Sequence, residues 1–236
     1  MISAGVIPIR LAVFDVAGTT VLDGDAVVET LCEALADHHV KVPRADAVAV
    51  MGWPKPNAIR YLLSTHGGID ASALDTTVTF VHKRFRAAII ERYRTDDSVV
   101  AADGAVHVFE KLHQAGAQVA LDTGFSRDIL DVLLDRLGWK NSGDVDVTVA
   151  SDEVERGRPF PDLIHRAMEL ASVGDPQLVA KIGDTPSDLE QGRAAGCGLV
   201  VGVTYGTHSR SQLERPDVHV IDHLPDLLPL VGLTTP

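Results

Sequence analysis

From about Ala102 to Val203 the chain alternates between short apolar runs and segments with helical apolar spacing. Helices are predicted across Val106–Leu112, Ile129–Leu137, Leu163–Leu170 and Asp188–Ala195, and strands near Gln118–Leu121, Val145–Ala150, Leu178–Ile182 and Leu199–Val203. That alternation predicts an α/β fold, a parallel sheet covered by helices on both faces. One more apolar run, Leu11-Ala12-Val13-Phe14, reads as a buried strand ending at Asp15. It is cut off from the other strands by roughly 70 residues of helical pattern, from about Ala26 to Tyr93, with apolar positions such as Val28, Leu31, Leu35 and Ile59, Leu62, Leu63. The economical arrangement is a sheet domain, residues 1–24 and 95–236, with a helical cap, residues 25–94, inserted after the first strand. Its two linkers, near Leu22–Asp25 and Tyr93–Ser98, would act as hinges. The tail from Asp217 reads as a short strand, Val218–Ile221, and a small helix.

Composition removes several classes of function. The 21 Lys and Arg residues against 33 Asp and Glu leave a formal charge of −12, which argues against a nucleic-acid backbone binder and supplies no polybasic membrane patch. Met1-Ile2-Ser3-Ala4-Gly5 lacks the basic start and long apolar core of a signal peptide, and no apolar run approaches membrane-spanning length. Cys32 and Cys197 have neither CxxC spacing nor a disulfide framework, so a reducing, cytoplasmic setting is expected. The histidines, His38-His39 included, form no helical metal-binding pair.

Four segments that carry chemistry fall at predicted strand ends, where open α/β sheets place their sites. They are Asp15-Val16-Ala17-Gly18-Thr19-Thr20, Asp122-Thr123-Gly124-Phe125, Gly157-Arg158-Pro159-Phe160-Pro161 and Gly183-Asp184-Thr185-Pro186-Ser187-Asp188. Singly each has an ordinary reading: Asp188 as a helix cap, Thr123 as a turn residue, Arg158 as a surface charge. Together they describe phosphoryl transfer. Asp15 would be the nucleophile. Mg²⁺ would reconcile its charge with the substrate's, held by Asp15, Asp184 and the backbone carbonyl near Ala17, with Asp188 as a ligand or an orienter of metal-bound water. The Thr123 hydroxyl, the Gly124 amide and Arg158 would bind the phosphoryl oxygens. Neither GxxxxGK[ST] nor GxGxxG occurs, so nucleotide P-loop and dinucleotide sites have no support.

The order Asp15…Thr123…Arg158…Asp184/Asp188 resembles the haloacid dehalogenase superfamily over nearly the whole chain, which implies its Rossmannoid parallel sheet core with an α-helical cap. Within it, Phe14-Asp15-Val16-Ala17-Gly18-Thr19-Thr20 is similar to the phosphonatase (phosphonoacetaldehyde hydrolase) family, which also has alanine where most relatives carry a second aspartate. The phosphonatase family forms a Schiff base from a cap lysine in Met-Gly-x-x-Lys, and the match here is Met51-Gly52-Trp53-Pro54-Lys55. The resemblance implies that Met51 shields the imine pocket, with Gly124 and Phe125 beside the substrate.

Alanine and lysine belong to one chemistry. In phosphate-ester hydrolysis the second aspartate protonates the departing alkoxide, help worth on the order of 10²–10⁴ in rate, and Ala17 cannot give it. In a phosphonate the leaving atom is carbon, and an iminium on Lys55 would accept the electron pair. Pro56 suits the first turn of a helix, which puts Lys55 at a positive dipole end, and Trp53 and Pro54 add desolvation; both favour the neutral amine. The chain departs from the phosphonatase pattern at Ala58, where the family has histidine, at Phe125, where it has tyrosine, and at Asp25, where it has cysteine. All three lie in the substrate and proton-relay region. The expected activity is therefore hydrolysis of phosphonoacetaldehyde or a related phosphonate. The alternatives are a phosphatase acting on a small phosphate ester without the usual acid, and a ligand-binding protein that has lost turnover. The apolar stripe around Leu31 could also pair two subunits through the cap.

Overall fold

The structure, a computed structural model, describes residues 8–234, so the Met1–Gly5 segment lies outside it. The described chain begins with β1 (Leu11–Asp15) and the two-residue β2 (Val21–Leu22). Four helices follow without an intervening strand: α1 (Ala26–Ala36), α2 (Arg44–Ala49), α3 (Lys55–His66) and α4 (Ala71–Thr95). After β3 (Val100–Ala101) the alternation runs α5 (Ala105–Gln114), β4 (Gln118–Thr123), α6 (Arg127–Arg136), β5 (Val147–Ala150), α7 (Asp162–Leu170), β6 (Val179–Gly183), α8 (Pro186–Ala194) and β7 (Leu199–Val203). Last come α9 (Arg210–Leu213), β8 (His219–Ile221) and α10 (Leu227–Leu230).

The large sheet has the order β5-β4-β1-β6-β7-β8, parallel throughout. Parallel strands buried on both faces read as unbroken apolar runs, and every residue of β1 is buried. Side chains alternate between the two faces. On one face Leu11 and Val13 join Val149 and the α7 residues Leu163, Ile164 and Ala167. On the other, Ala12 and Phe14 join Leu121, Ile182 and Phe109, with the Phe14 and Phe109 rings 5.3 Å apart and edge to face. All six strands run the same way, so the loops after β1, β4 and β6 emerge side by side at one edge. This is where the predicted site residues lie.

Two features differ from the sequence-based expectation. β2 and β3 pair antiparallel, Val21 with Ala101 and Leu22 with Val100, tying the two crossings of the helical insertion together. Pairs of two residues carry no periodicity to read. The α1 stripe faces inward: Leu31 and Leu35 are fully buried, as are Phe85 and Ile89 on α4, against which α1 packs. Those side chains are covered within the chain; the exposed large apolar side chains of the insertion are Tyr61 and Phe80. No helix among the described residues is long and apolar enough to cross a membrane.

Candidate active site

The turn after β1 is tight because three successive amides, those of Thr19, Thr20 and Val21, converge on the Val16 carbonyl at 3.2, 3.0 and 2.9 Å. Gly18 sits in it at φ 89°, and a Cβ there would lie 2.5 Å from Asp184 Oδ2. Only glycine lets the β1 turn approach the carboxylate that ends β6 so closely. The Thr207 amide also donates to Asp184 Oδ2, at 2.6 Å.

Asp15, Asp184 and Asp188 offer carboxylate oxygens within 4.8 Å of one another, all buried. Burial, reinforced by the neighbouring carboxylates, pushes Asp15 up to about 6 against the pull of Arg158, and Asp184 up to about 7. Such an excess of clustered hard oxygen donors suits a divalent cation. Asp15 and Asp184 line the cavity together with Ala17, whereas Asp188 is fully buried and does not reach its wall. Asp188 divides its oxygens. Oδ2 accepts from Thr185 Oγ1 at 2.6 Å, closing the capping box of α8. Oδ1 faces Arg158 Nη1 at 3.0 Å and Lys181 Nζ at 3.1 Å with no aligned hydrogen bond. Burial alone would raise the Asp188 carboxyl; these two cations outweigh it and hold the group below the usual range.

Arg158 is not the surface charge it could have been. Its guanidinium is buried, with Nη1 donating to Asp15 Oδ1 at 2.5 Å, Nη2 to the Asp122 carbonyl at 2.9 Å and to its carboxylate, and Nε to Gln191 at 3.2 Å. The group thus positions the Asp15 carboxylate while still lining the cavity. Asp122 and Lys181 complete the cluster, and both escaped the sequence reading. Asp15 pairs in register with Asp122 on β4, and Val13 with Lys181 on β6, so strand alternation places Asp15, Asp122 and Lys181 on one face. The signal was available: a charge inside an otherwise apolar buried strand needs a partner, and Asp122 and Lys181 supply one another across β1. Tyr205 and Thr207, which lie in the loop after β7 and line the cavity, were also missed. Loop residues between predicted elements give no periodic signal.

The insertion brings Lys55 to the same cavity, whose volume is about 440 Å³. Lys55 opens α3, with Pro54 at its N-cap and Pro56 in its first turn, so it stands at the positive end of the helix. Its Nζ lies 5.3 Å from the centre of the Phe125 ring and 3.5 Å from the Trp53 carbonyl. Burial lowers its pKa to about 8, with nearby Asp15 acting the other way. At pH 7 roughly one amine in ten is then neutral, against about three in ten thousand at 10.5. The segment before Lys55 seats tightly on the β4 loop: a Cβ on Gly124 would lie 2.9 Å from the Trp53 carbonyl oxygen. Met51 is buried at the cavity wall. Thr123 Oγ1 accepts from the Phe125 amide at 3.2 Å, which leaves its hydroxyl proton for the cavity, and Gly124 lines the same wall. Every predicted site residue except Asp188 therefore meets in one cavity.

A family model for haloacid dehalogenase-like hydrolases matches residues 9–196. The chain is 30% identical over 213 residues to a phosphonoacetaldehyde hydrolase of Bacillus cereus, covering 84% of this chain and 77% of that one. It is 28% identical over 234 residues to a phosphonoacetaldehyde hydrolase of Pseudomonas putida, covering 90% and 84%. In fold it is similar to a phosphonoacetaldehyde hydrolase-like protein from Oleispira antarctica, with a TM-score of 0.78 at 24% identity over 98% of this chain and 95% of that one.

Proposed function

This chain belongs to the haloacid dehalogenase-like hydrolases, and from that premise we propose that it cleaves the carbon–phosphorus bond of phosphonoacetaldehyde or a related small phosphonate. One observation carries the reading: a buried lysine with a lowered pKa shares a cavity with the nucleophile Asp15, at a site where the second acid is Ala17. Residues 25–94 act as the cap and residues 1–24 and 95–236 as the core, and Lys55 meets Asp15 when the two close. The reaction takes place in the cytoplasm on a small molecule, without nucleic acid or membrane.

Lys55 Nζ attacks the aldehyde carbon and water leaves, giving an iminium two bonds from phosphorus. The Asp15 carboxylate then attacks phosphorus. The C–P bond breaks, its electron pair flows into the iminium to give an enamine, and the phosphoryl group is left on Asp15. Asp15 Oδ1 is fixed by Arg158, and no hydrogen bond from the described residues reaches Oδ2, so Oδ2 is the attacking atom. Thr123 and the Gly124 amide hold phosphoryl oxygens. Mg²⁺ would be held by Asp15, Asp184 and the Ala17 carbonyl, with Asp188 behind them, and when bound it would offset the negative charge of the phosphoryl group. Protonation of the enamine and hydrolysis release acetaldehyde and the free lysine, and water clears the aspartyl-phosphate.

The test is phosphate release from phosphonoacetaldehyde beside a panel of phosphate esters, using wild type, Lys55→Ala and Asp15→Asn. Release from the phosphonate that both substitutions abolish is expected. Ester turnover that survives Lys55→Ala, with no release from the phosphonate, would assign the site to phosphate esters instead.

A further inference from the structure

The imine chemistry needs a group that moves protons at Lys55, and Ala58 cannot be that group. Asp23 can. It follows β2, is buried, and lines the cavity that holds Lys55. Its Oδ2 accepts a hydrogen bond of 2.7 Å from the hydroxyl of Tyr93, which is fully buried near the end of α4. The Tyr93 ring packs edge-on against Phe125 with centroids 6.0 Å apart, and Lys55 Nζ lies over that same Phe125 ring. The hydroxyl absent from Phe125 is thus present one ring away, directed at a buried carboxyl.

We propose that Asp23, positioned by Tyr93, is the proton-transfer residue for formation and hydrolysis of the Lys55 imine; this rests on the C–P hydrolase reading above. In the forward step the Asp23 carboxyl gives its proton to the carbinolamine hydroxyl. The C–O bond breaks, water leaves, the nitrogen lone pair forms the C=N bond, and Asp23 is left as the carboxylate. On hydrolysis the carboxylate takes a proton from the attacking water as its oxygen bonds to the imine carbon, and the nitrogen recovers its lone pair.

The charges around Asp23 are consistent with that role. Burial raises the Asp23 carboxyl, and Asp25 adds to the rise, while the Tyr93 hydrogen bond and Arg92 on α4 oppose it. Asp23 in turn is among the charges that act on the Lys55 ammonium from across the cavity.

Borohydride trapping of the imine from phosphonoacetaldehyde, timed from pH 5 to 9, tests the assignment. Lys55 must be neutral and Asp23 protonated, so the wild-type rate follows a bell whose acid-side break tracks Asp23. Asp23→Asn is expected to slow trapping by about 100-fold or more and to remove that break, leaving a rate that climbs until Lys55 is neutral. Tyr93→Phe keeps the acid but removes a hydrogen bond that lowers its pKa, so the break is expected to move to higher pH. A purely structural role for the pair would lower the amount of active protein without moving the break. Asp23→Asn trapping at the wild-type rate would overturn the proposal and leave the imine intact. If Asp23→Asn does not fold, an unmoved break in Tyr93→Phe overturns it. Wild type that forms no imine at all would overturn the C–P hydrolase reading and this inference with it.

Discussion

Replacing Lys181 with methionine isolates the most heavily charged part of the interior. The Lys181 ammonium has no solvent exposure and contacts Asp122 and Asp188, the latter at 3.1 Å. Three carboxylates, Asp15, Asp122 and Asp188, are there balanced by two cations, Arg158 and Lys181. Methionine fills most of the volume but leaves Arg158 alone against all three. Asp122 suffers most, because its Oδ2 already has no hydrogen-bond partner. Removing one member of a buried ion pair costs about 3–5 kcal/mol, because the other stays buried and unpaired. For a chain of this size each kcal/mol shifts melting by about 2–4 °C, so a fall of roughly 6–20 °C is expected. Urea unfolding at pH 7 measures the loss directly. The companion Lys181→Met/Asp122→Leu removes the stranded carboxylate as well, and is expected to recover more than half of it, since apolar replacement of a whole buried pair is often neutral. A loss under about 1 kcal/mol for Lys181→Met would refute the reasoning, and so would a double variant whose loss equals the sum of the two single losses.

Two further outcomes follow from the same site. Ala17 lines the cavity beside Asp15, so Ala17→Asp restores the acid that phosphate esters need; ester turnover is expected to rise by about 10²–10⁴ while C–P cleavage falls, and no rise would mean that the alanine does not set the leaving group. Burial and the neighbouring carboxylates hold Asp15 up at about 6 and Asp184 up at about 7, above the ordinary aspartate value of 3.8. Between about pH 4 and 7 the native state thus binds protons that the unfolded chain has released, and these two groups make stability fall as pH rises through that window. Mg²⁺ should therefore raise the melting temperature more at pH 7.5 than at pH 5, and an equal shift at both would contradict the assigned site.

Much of this molecule could be read from its residues because apolar periodicity and strand ends carry both fold and site. The buried run ending at Asp15, the helical stretch after it, and the later alternation all match elements of the structure to within a few residues. Arg158, Asp184 and Lys55 reached the site because their motifs fix local structure: a turn, a capping box at Thr185, and a proline-started helix. What escaped depends on contacts between distant segments. Asp122 and Lys181 have meaning only once β1 lies between β4 and β6 in the correct register. Tyr93 and Asp23 are 70 residues apart in sequence and meet through the packing of α4 against the start of the insertion. The inward turn of the α1 stripe was decided by α4, because an amphipathic helix does not specify which partner covers its apolar face.

The central claim is that Lys55 and Asp15 divide one reaction between them, the amine taking the carbon and the carboxylate taking the phosphorus. Peptide mapping after borohydride reduction in the presence of phosphonoacetaldehyde tests it most directly. Wild type and Asp15→Asn are both expected to carry the reduced adduct on Lys55, with wild type alone releasing phosphate and losing that activity irreversibly on reduction. Phosphate release from phosphonoacetaldehyde with Lys55 unmodified would contradict the claim.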